Sequence, residues 1–561
     1  MLVRRPIVPP IGSPGTRARV TQSAPTVVVL VGLLVMCGVV LSKAQHLWFW
    51  RDDWAFLRPR VIDPWQALVL NYNGHWSALP WLWFRTTRSL VGLRHYAPYA
   101  VAPVLLQLLT FLLLYALLRR TEIGRWTGAA AVLVTAALAI GVGAENTLWL
   151  ATIGFLGACA FGLLGVLLAD LGGPWRWLAP VALLLGVMCS NVGLILLALA
   201  GGWGLRRLGL LRTAALVGPP AVLYVAWFLT YARIRPPVGT NGPWTNSPPI
   251  DWGHGSVRMA AGITDVWTAA TGVHGAGPLV LVVLVLGVYA ARRRPALGAL
   301  GLGGLVALVL GFALFGFGKA SAHTLPTQPR YEYVGVLVCG PAVACLAHVV
   351  ARRVRDLRWA YGLVAAAAVL LAGAIGVTRV DVAADVLRPQ TTDLHNRVVA
   401  TAWLHQHGEQ TLSDPVWSDP SINHGVTVPM LTDPTMLPLL PSGPPPDRAL
   451  LVTRAQVQVG VGPTAFDLPD ATCTPHGPSG GKEIAVRAGA GGAQVRLRLD
   501  PVDSASGPSV VRTRLVSATD GTPFHAWTVD AGEQTAYVAT SAPDVTLLVR
   551  LPAGATADCG R

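Results

Sequence analysis

Charge is what this sequence has least of. Charged residues are 13% of its 561 residues, against about 25% in a soluble globular domain. So little charge excludes a surface turned wholly to water. Lysine is nearly missing: Lys43, Lys319 and Lys482 stand alone, so the net charge of +15 is carried by arginine. Those arginines fall in short clusters between apolar runs rather than on one soluble face, which excludes nucleic acid as the partner. No Walker A motif is present, against ATP-driven transport. No HExxH or zinc-type Cys/His spacing is present either, against a membrane metalloprotease. No repeat of 20–50 residues is visible.

What is present is a series of long apolar runs, at 25–45, 97–118, 126–143, 148–169, 177–189, 191–205, 213–231, 276–291, 296–317, 331–351 and 359–378. A membrane-spanning helix takes about 20 residues, so the sequence predicts a polytopic α-helical membrane protein of about eleven helices. The fifth and sixth runs are short, and Ser190-Asn191 between them is costly at mid-membrane but cheap at a turn. Alternation from a cytoplasmic N-terminus then puts Arg119-Arg120-Arg125, Arg176, Arg206-Arg207-Arg212, Arg292-Arg293-Arg294 and Arg352-Arg353-Arg355-Arg358 on the inner side. That satisfies the positive-inside rule at every inner loop, whereas merging the two runs would put later clusters outside. The first run follows a basic arm, residues 1–24, and reads as an uncleaved helix because no small-x-small cleavage site follows it.

The outer side then holds loops 43–96, 232–275 and 318–330 and everything after 378. Residues 392–407 have helical spacing, with Leu394, Val398, Val399, Trp403 and Leu404 on one side. A Pro-rich linker follows, so 379–446 reads as an outer helix and linker. Residues 447–561 show short period-2 runs such as EIAVRA, AQVRLRLD and TAYVAT, the pattern of a small β-sandwich. Cys473 and Cys559 lie in this part and can pair if it faces an oxidising exterior. The other five cysteines sit in apolar runs as small hydrophobes.

Candidate chemistry lies in the first outer loop. Trp48-Phe49-Trp50-Arg51-Asp52-Asp53-Trp54 sets two adjacent carboxylates among tryptophans right after the first helix. An interfacial aromatic belt with solvated acids accounts for this pattern; a general base or a divalent-cation ligand near the membrane plane accounts for it equally. Residues 64–94 read as one or two helices lying on the membrane and include Asn71-Tyr72-Asn73-Gly74-His75-Trp76. The loop carries six arginines on the outer side: Arg51, Arg58, Arg60, Arg85, Arg88 and Arg94. They suit a lipid phosphate or plain headgroup contact. Gln328-Pro329-Arg330-Tyr331-Glu332-Tyr333 stands at the mouth of the tenth helix, with Lys319 and His323 just before it; an interfacial anchor is the simpler reading of this stretch. Glu145-Asn146, between the third and fourth helices, is a solvated turn or part of the same outer cavity. Asp251, His254, Asp265 and His274, with Trp244, Trp252 and Trp267, mark the second outer loop as a cover or an acceptor-sugar surface. Of ten acids between 43 and 378, seven fall outside under this topology, a bias that orientation alone does not require.

An outer acidic motif after helix one, an amphipathic loop with a GHW segment, many helices and an outer soluble tail together resemble the GT-C superfamily of integral-membrane glycosyltransferases. The resemblance covers the architecture from 25 to 378. It implies a polyprenyl-phosphate-linked sugar donor in the lipid bilayer and a cell-envelope glycan or protein acceptor. It puts the catalytic carboxylate on Asp53 or Asp52 and the donor phosphate on Arg330 and Tyr331, with Lys319, Arg58 or Arg85. His75, Trp54, Glu145 and His323 would line the acceptor cavity. The Ala-, Gly- and Arg-rich composition is that of a GC-rich bacterium such as an actinobacterium, and actinobacterial cell-wall arabinofuranosyltransferases share a β-rich outer tail of this general shape. A nucleotide-sugar donor is disfavoured, because such donors are made inside. Two other readings remain open: a non-catalytic polysaccharide export or assembly subunit, and a diphosphate-lipid-linked glycan ligase or polymerase.

Overall fold

A computed structural model describes residues 16–57, 66, 68–72, 74–232, 252–318, 328–354, 357–408, 426 and 428–446, and nine short strands between 457 and 558. Arg58, Lys319, His323, Asp251 and Cys559 lie outside the described residues, as does the proposed Cys473–Cys559 bridge.

All eleven apolar runs are helical. They are α1 (Thr16–Ala44), α4 (Ala97–Arg119), α5 (Arg125–Val142), α7 (Ile153–Leu171), α8 (Ala179–Cys189), α9 (Val192–Arg207), α10 (Leu210–Trp227), α12 (Ala276–Ala290), α13 (Pro295–Gly318), α14 (Pro329–Arg353) and α15 (Arg358–Gln406). Nine helices among the described residues are long and apolar enough to cross a membrane. The two that are not, α8 and α9, have 11 and 16 residues, about 16 and 24 Å at 1.5 Å per residue. They are separate helices: Ser190 is fully extended between them, at φ −173° and ψ 160°.

Further helices among the described residues are α2 (Asp53–Leu57), α3 (Ala78–Val91), α6 (Ala144–Leu148), α11 (Trp252–Thr271) and α16 (Val428–Leu431). Three expectations change. Residues 64–94 are not all helix, because β1 (Asn71–Tyr72) and β2 (His75–Trp76) form an antiparallel hairpin ahead of α3. The 232–275 loop contains the 20-residue α11, packed against α5, α12, α13 and α14. The helix expected at 392–407 is not separate; it is the end of the 49-residue α15, which runs through Pro389 without a break.

The helix ends divide by charge. At one end, Asp170 accepts from Arg120 at 2.5 Å and pairs with Arg207 at 3.5 Å, and Arg206 donates to the carbonyl of Arg292 at 2.7 Å. Glu122 accepts from the Leu297 amide at the same end, at 3.4 Å. The opposite end gathers the first loop, α6, the α8–α9 break and the start of α14.

The tail's strands, β3 (Val457–Val461), β4 (Cys473–Pro475), β5 (Glu483–Arg487), β6 (Ala493–Arg498), β7 (Ser509–Val516), β8 (His525–Val529), β9 (Thr535–Thr540), β10 (Thr546–Arg550) and β11 (Thr556–Asp558), pair antiparallel. They form two sheets in the orders β4-β5-β10-β7-β8 and β11-β6-β9-β3. The strands are short and few beside the helices, and pairing within each sheet does not amount to the expected sandwich.

One contact fixes how α15 joins the bundle. A Cβ on Gly141 of α5 would fall 2.8 Å from Gly376 Cα, and one on Gly376 would fall 2.6 Å from the Ala137 carbonyl oxygen. Backbone meets backbone there, so no side chain can yield. Gly141→Leu therefore forces α5 and α15 apart, a cost of at least about 1–3 kcal/mol. The expected result is a lower thermal midpoint of the detergent-purified chain, and Gly373→Leu, whose Cβ meets nothing within 4 Å, is the matched variant that leaves the midpoint in place.

Candidate active site

The segment after α1 turns inward rather than lying in an aromatic belt. Trp48, Phe49, Trp50 and Trp54 are all buried. Phe49 meets Tyr99 edge-on at 4.8 Å and Tyr96 at 5.5 Å. Trp54 packs edge-on against Trp48 and donates its indole N–H to the Phe49 carbonyl at 3.4 Å. Trp54 is thus a core residue and not a cavity wall.

The two adjacent acids part company. Asp53 is fully buried; its Oδ2 accepts from the Trp50 amide at 2.9 Å and its Oδ1 from the Ala151 amide at 2.7 Å. Burial pushes its carboxyl well above the usual carboxylate range, and the two amide donors offset that only in part. Both oxygens are engaged, so Asp53 is a tie between the first loop and the residues before α7, not a free base. Arg51, at the turn beside the acids, is the single non-glycine described residue at positive φ, +46°. Its guanidinium lies 4.0 Å over the Trp50 ring. That backbone is strained for a residue with a Cβ, and it lets Asp52 and Asp53 face different ways.

Asp52 faces a cleft of about 80 Å³ that Trp149, His75, Ser190, Arg330 and Tyr331 also line. Five separate stretches meet here: the first loop, the hairpin, the segment before α7, the α8–α9 break and the first turn of α14. The hairpin turns at Gly74, which has φ +79° and gives its amide to Asn71 Oδ1 at 3.0 Å. This sets His75 against the helix break. His75 Nδ1 accepts from the Asn191 amide at 3.3 Å and lies 3.2 Å from Ser190 Oγ, while Asn191 Nδ2 donates to the Gly74 carbonyl at 2.8 Å. With Nδ1 an acceptor, the ring proton of the neutral imidazole belongs on Nε2.

Arg330 is held from three sides. Its Nη1 is 3.8 Å from Glu145 Oε1, its carbonyl accepts from Asn146 Nδ2 at 3.0 Å, and its guanidinium lies 5.8 Å over Trp149. Its Nε is buried without a hydrogen-bond partner among the described residues. Burial raises the Glu145 carboxyl; Arg330 and Arg51 oppose this and Asp52 adds to it. Asp52, Glu145, Arg51 and Arg330 therefore form one electrostatic group.

Of the residues expected at a site, Asp52, His75, Arg330 and Tyr331 meet at the cleft, with Glu145 at its edge. Arg85 does not: it is exposed on α3, its guanidinium 5.2 Å over Trp81. Trp149 belongs to the cleft without having been expected there, and Ser190, like Glu145-Asn146 a solvated turn or a cavity residue by sequence, lines it too. Their signal was a polar or aromatic residue interrupting an apolar run. No group of three or more His, Cys, Asp or Glu able to hold a metal ion occurs among the described residues. Comparison with protein-family models, curated proteins and solved structures finds no match.

Two outcomes follow. Asp53→Ala leaves two buried amides unsatisfied, at about 1–3 kcal/mol each, so it lowers the thermal midpoint, whereas Asp52→Ala leaves it in place; equal midpoints would refute the division of roles. Glu145, with its folded-state pKa raised, binds its proton more tightly folded than unfolded. Its contribution to stability is complete at low pH and falls as pH rises from the ordinary glutamate value through the raised one. Glu145→Gln should remove that slope from denaturation midpoints measured across pH.

Proposed function

We propose that the chain is a membrane glycosyltransferase of GT-C type that moves a sugar from a polyprenyl-phosphate donor to a cell-envelope glycan or protein acceptor. The observation that carries this reading is that Asp52 and Arg330, nearly three hundred residues apart in the chain, line one cleft. An acid and an arginine facing one space are the two charges this reaction needs.

In this reading Asp52 takes the proton of the acceptor hydroxyl as its oxygen attacks the anomeric carbon. The bond from that carbon to the phosphate oxygen breaks, with inversion, and the charge freed on the polyprenyl phosphate falls to Arg330. Arginine suits the task because its planar fork meets two phosphate oxygens, and Arg330 has a buried Nε without a partner among the described residues. Glu145 and Asn146 hold it in place. Asp53 positions Asp52 through the backbone and touches no substrate. His75, fixed by the helix break, lines the acceptor side of the cleft.

The short helices favour a lipid-borne donor. If the start of α8 and the end of α9 lie at the basic rim, their 11 and 16 residues fall short of the roughly 30 Å hydrocarbon core. Their junction, and with it the cleft, then sits below the far membrane surface, within reach of a lipid phosphate arriving from the side. The basic rim faces the cytoplasm under the positive-inside rule, which puts the cleft and the C-terminal tail outside. We read the tail, with its two antiparallel sheets, as the part that holds the growing glycan.

The test uses membranes carrying the chain and a labelled polyprenyl-phosphate sugar. Asp52→Asn should cut transfer by about 10²–10⁴-fold, the usual share of general-base help, with expression unchanged, and Arg330→Gln should cut it as well. Full transfer by Asp52→Asn would sink the assignment. Build-up of lipid-linked sugar in a deletion strain would identify the donor, and its absence would favour an export or assembly role.

A further inference from the structure

At the basic end, away from the cleft, lies a second cavity. It is a groove of about 630 Å³ between α9, α10 and α13, walled by Leu205, Val217, Val306 and Leu310. Its volume falls within the range of about 300–1,000 Å³ typical of small-molecule sites. Two features of the sequence open it. α9 and α13 touch through glycines: a Cβ on Gly202 would be 3.0 Å from Gly303 Cα, and one on Gly303 would be 2.6 Å from the Leu199 carbonyl oxygen. α10 carries Pro219-Pro220 inside the helix, which removes two amide donors; it packs on α8 and α9 and stands off α13. The floor is bare where Gly201 lies, since a Cβ there would meet nothing within 4 Å.

Arg206 closes the groove at its basic end and is exposed. The Arg206 hydrogen bond to the Arg292 carbonyl, at 2.7 Å, uses one of five guanidinium donors and brings Arg292-Arg293-Arg294 alongside. An apolar trough running into a cluster of arginines is complementary to one kind of molecule, an acyl chain ending in a negative headgroup. Basic pockets between membrane helices hold anionic lipid headgroups in this way. We propose that this groove is a binding site for an anionic phospholipid, with an acyl chain between α9, α10 and α13 and its phosphate on Arg206. The site is separate from the cleft at the other end and does not depend on the reaction there.

The experiment is native mass spectrometry of the full chain in detergent, titrated with phosphatidylglycerol or phosphatidylcholine. Wild type should bind phosphatidylglycerol more tightly, by about fivefold for each arginine engaged. Gly201→Leu fills the groove in open space and should abolish the adduct; Ala221→Trp, from the opposite wall, should do the same if the first variant folds poorly. Arg206→Gln should bring phosphatidylglycerol down to the level of phosphatidylcholine. Leu211→Trp, on the exposed face of α10, should change nothing. Equal binding of the two lipids to wild type, no adduct with either, or adducts that survive both filled-groove variants would overturn the proposal. So would a dimer that Gly201→Leu dissolves, since the groove would then hold a second copy of this chain.

Discussion

The buried carboxylate of Asp53 is the stitch on which the cleft end of the molecule depends. It gathers the Trp50 amide from its own turn and the Ala151 amide from 98 residues away. Trp149 answers from the same segment, giving its indole N–H to the Trp50 carbonyl at 3.1 Å. Each such hydrogen bond is worth about 0.5–1.5 kcal/mol net, and here the two also set direction. With Asp53 turned inward and Arg51 in a left-handed turn, the intervening Asp52 has one way to face, into the cleft beside Arg330. A carboxylate that lines a cleft stays reachable, and one that binds two segments together does not; the adjacent Asp52 and Asp53 divide these positions.

The helix break at Ser190 poses the opposite problem, polar groups exposed where apolar helices pack. Leaving an amide or hydroxyl unpaired in such surroundings costs several kcal/mol. The hairpin supplies what is missing. His75 accepts from the Asn191 amide, and the Gly74 carbonyl accepts the Asn191 side chain. Trp76 stacks on Trp227 at 5.3 Å and 3°, and the two indoles give their N–H groups to Leu68 and Val69. The hairpin is anchored to α10 on one side and satisfies the polar groups of the α8–α9 break on the other.

This explains which parts could be read from the sequence. Runs of apolar residues need only their own length to declare themselves, and the arginine clusters separated α8 from α9 because charge cost acts locally. The hairpin was hidden by its tryptophans, which imitate the apolar side of a surface helix, although Asn73-Gly74 marked the turn. α11 was hidden by Arg258 and Asp265, which break the apolar run that a buried helix usually shows. The length of α15 was hidden because composition changes near residue 379 and Pro389 is a usual helix breaker, yet the helix continues through both. The choice between Asp52 and Asp53 was illegible in principle: it is made by the Ala151 amide, and adjacency in the chain carries no trace of it.

Size sets the last constraint on the cleft. About 80 Å³ is far less than the roughly 300–1,000 Å³ that encloses a drug-sized ligand. It accommodates a reacting centre and its immediate groups and no more. Whatever meets Asp52 and Arg330 must keep most of its bulk elsewhere. The neighbouring surfaces are unlike: apolar helix faces on the membrane side, and the hairpin with its fixed imidazole on the other. A ligand that is part hydrocarbon and part polar, as the proposed lipid-linked donor is, matches both; a wholly water-soluble ligand would leave the apolar side unmatched.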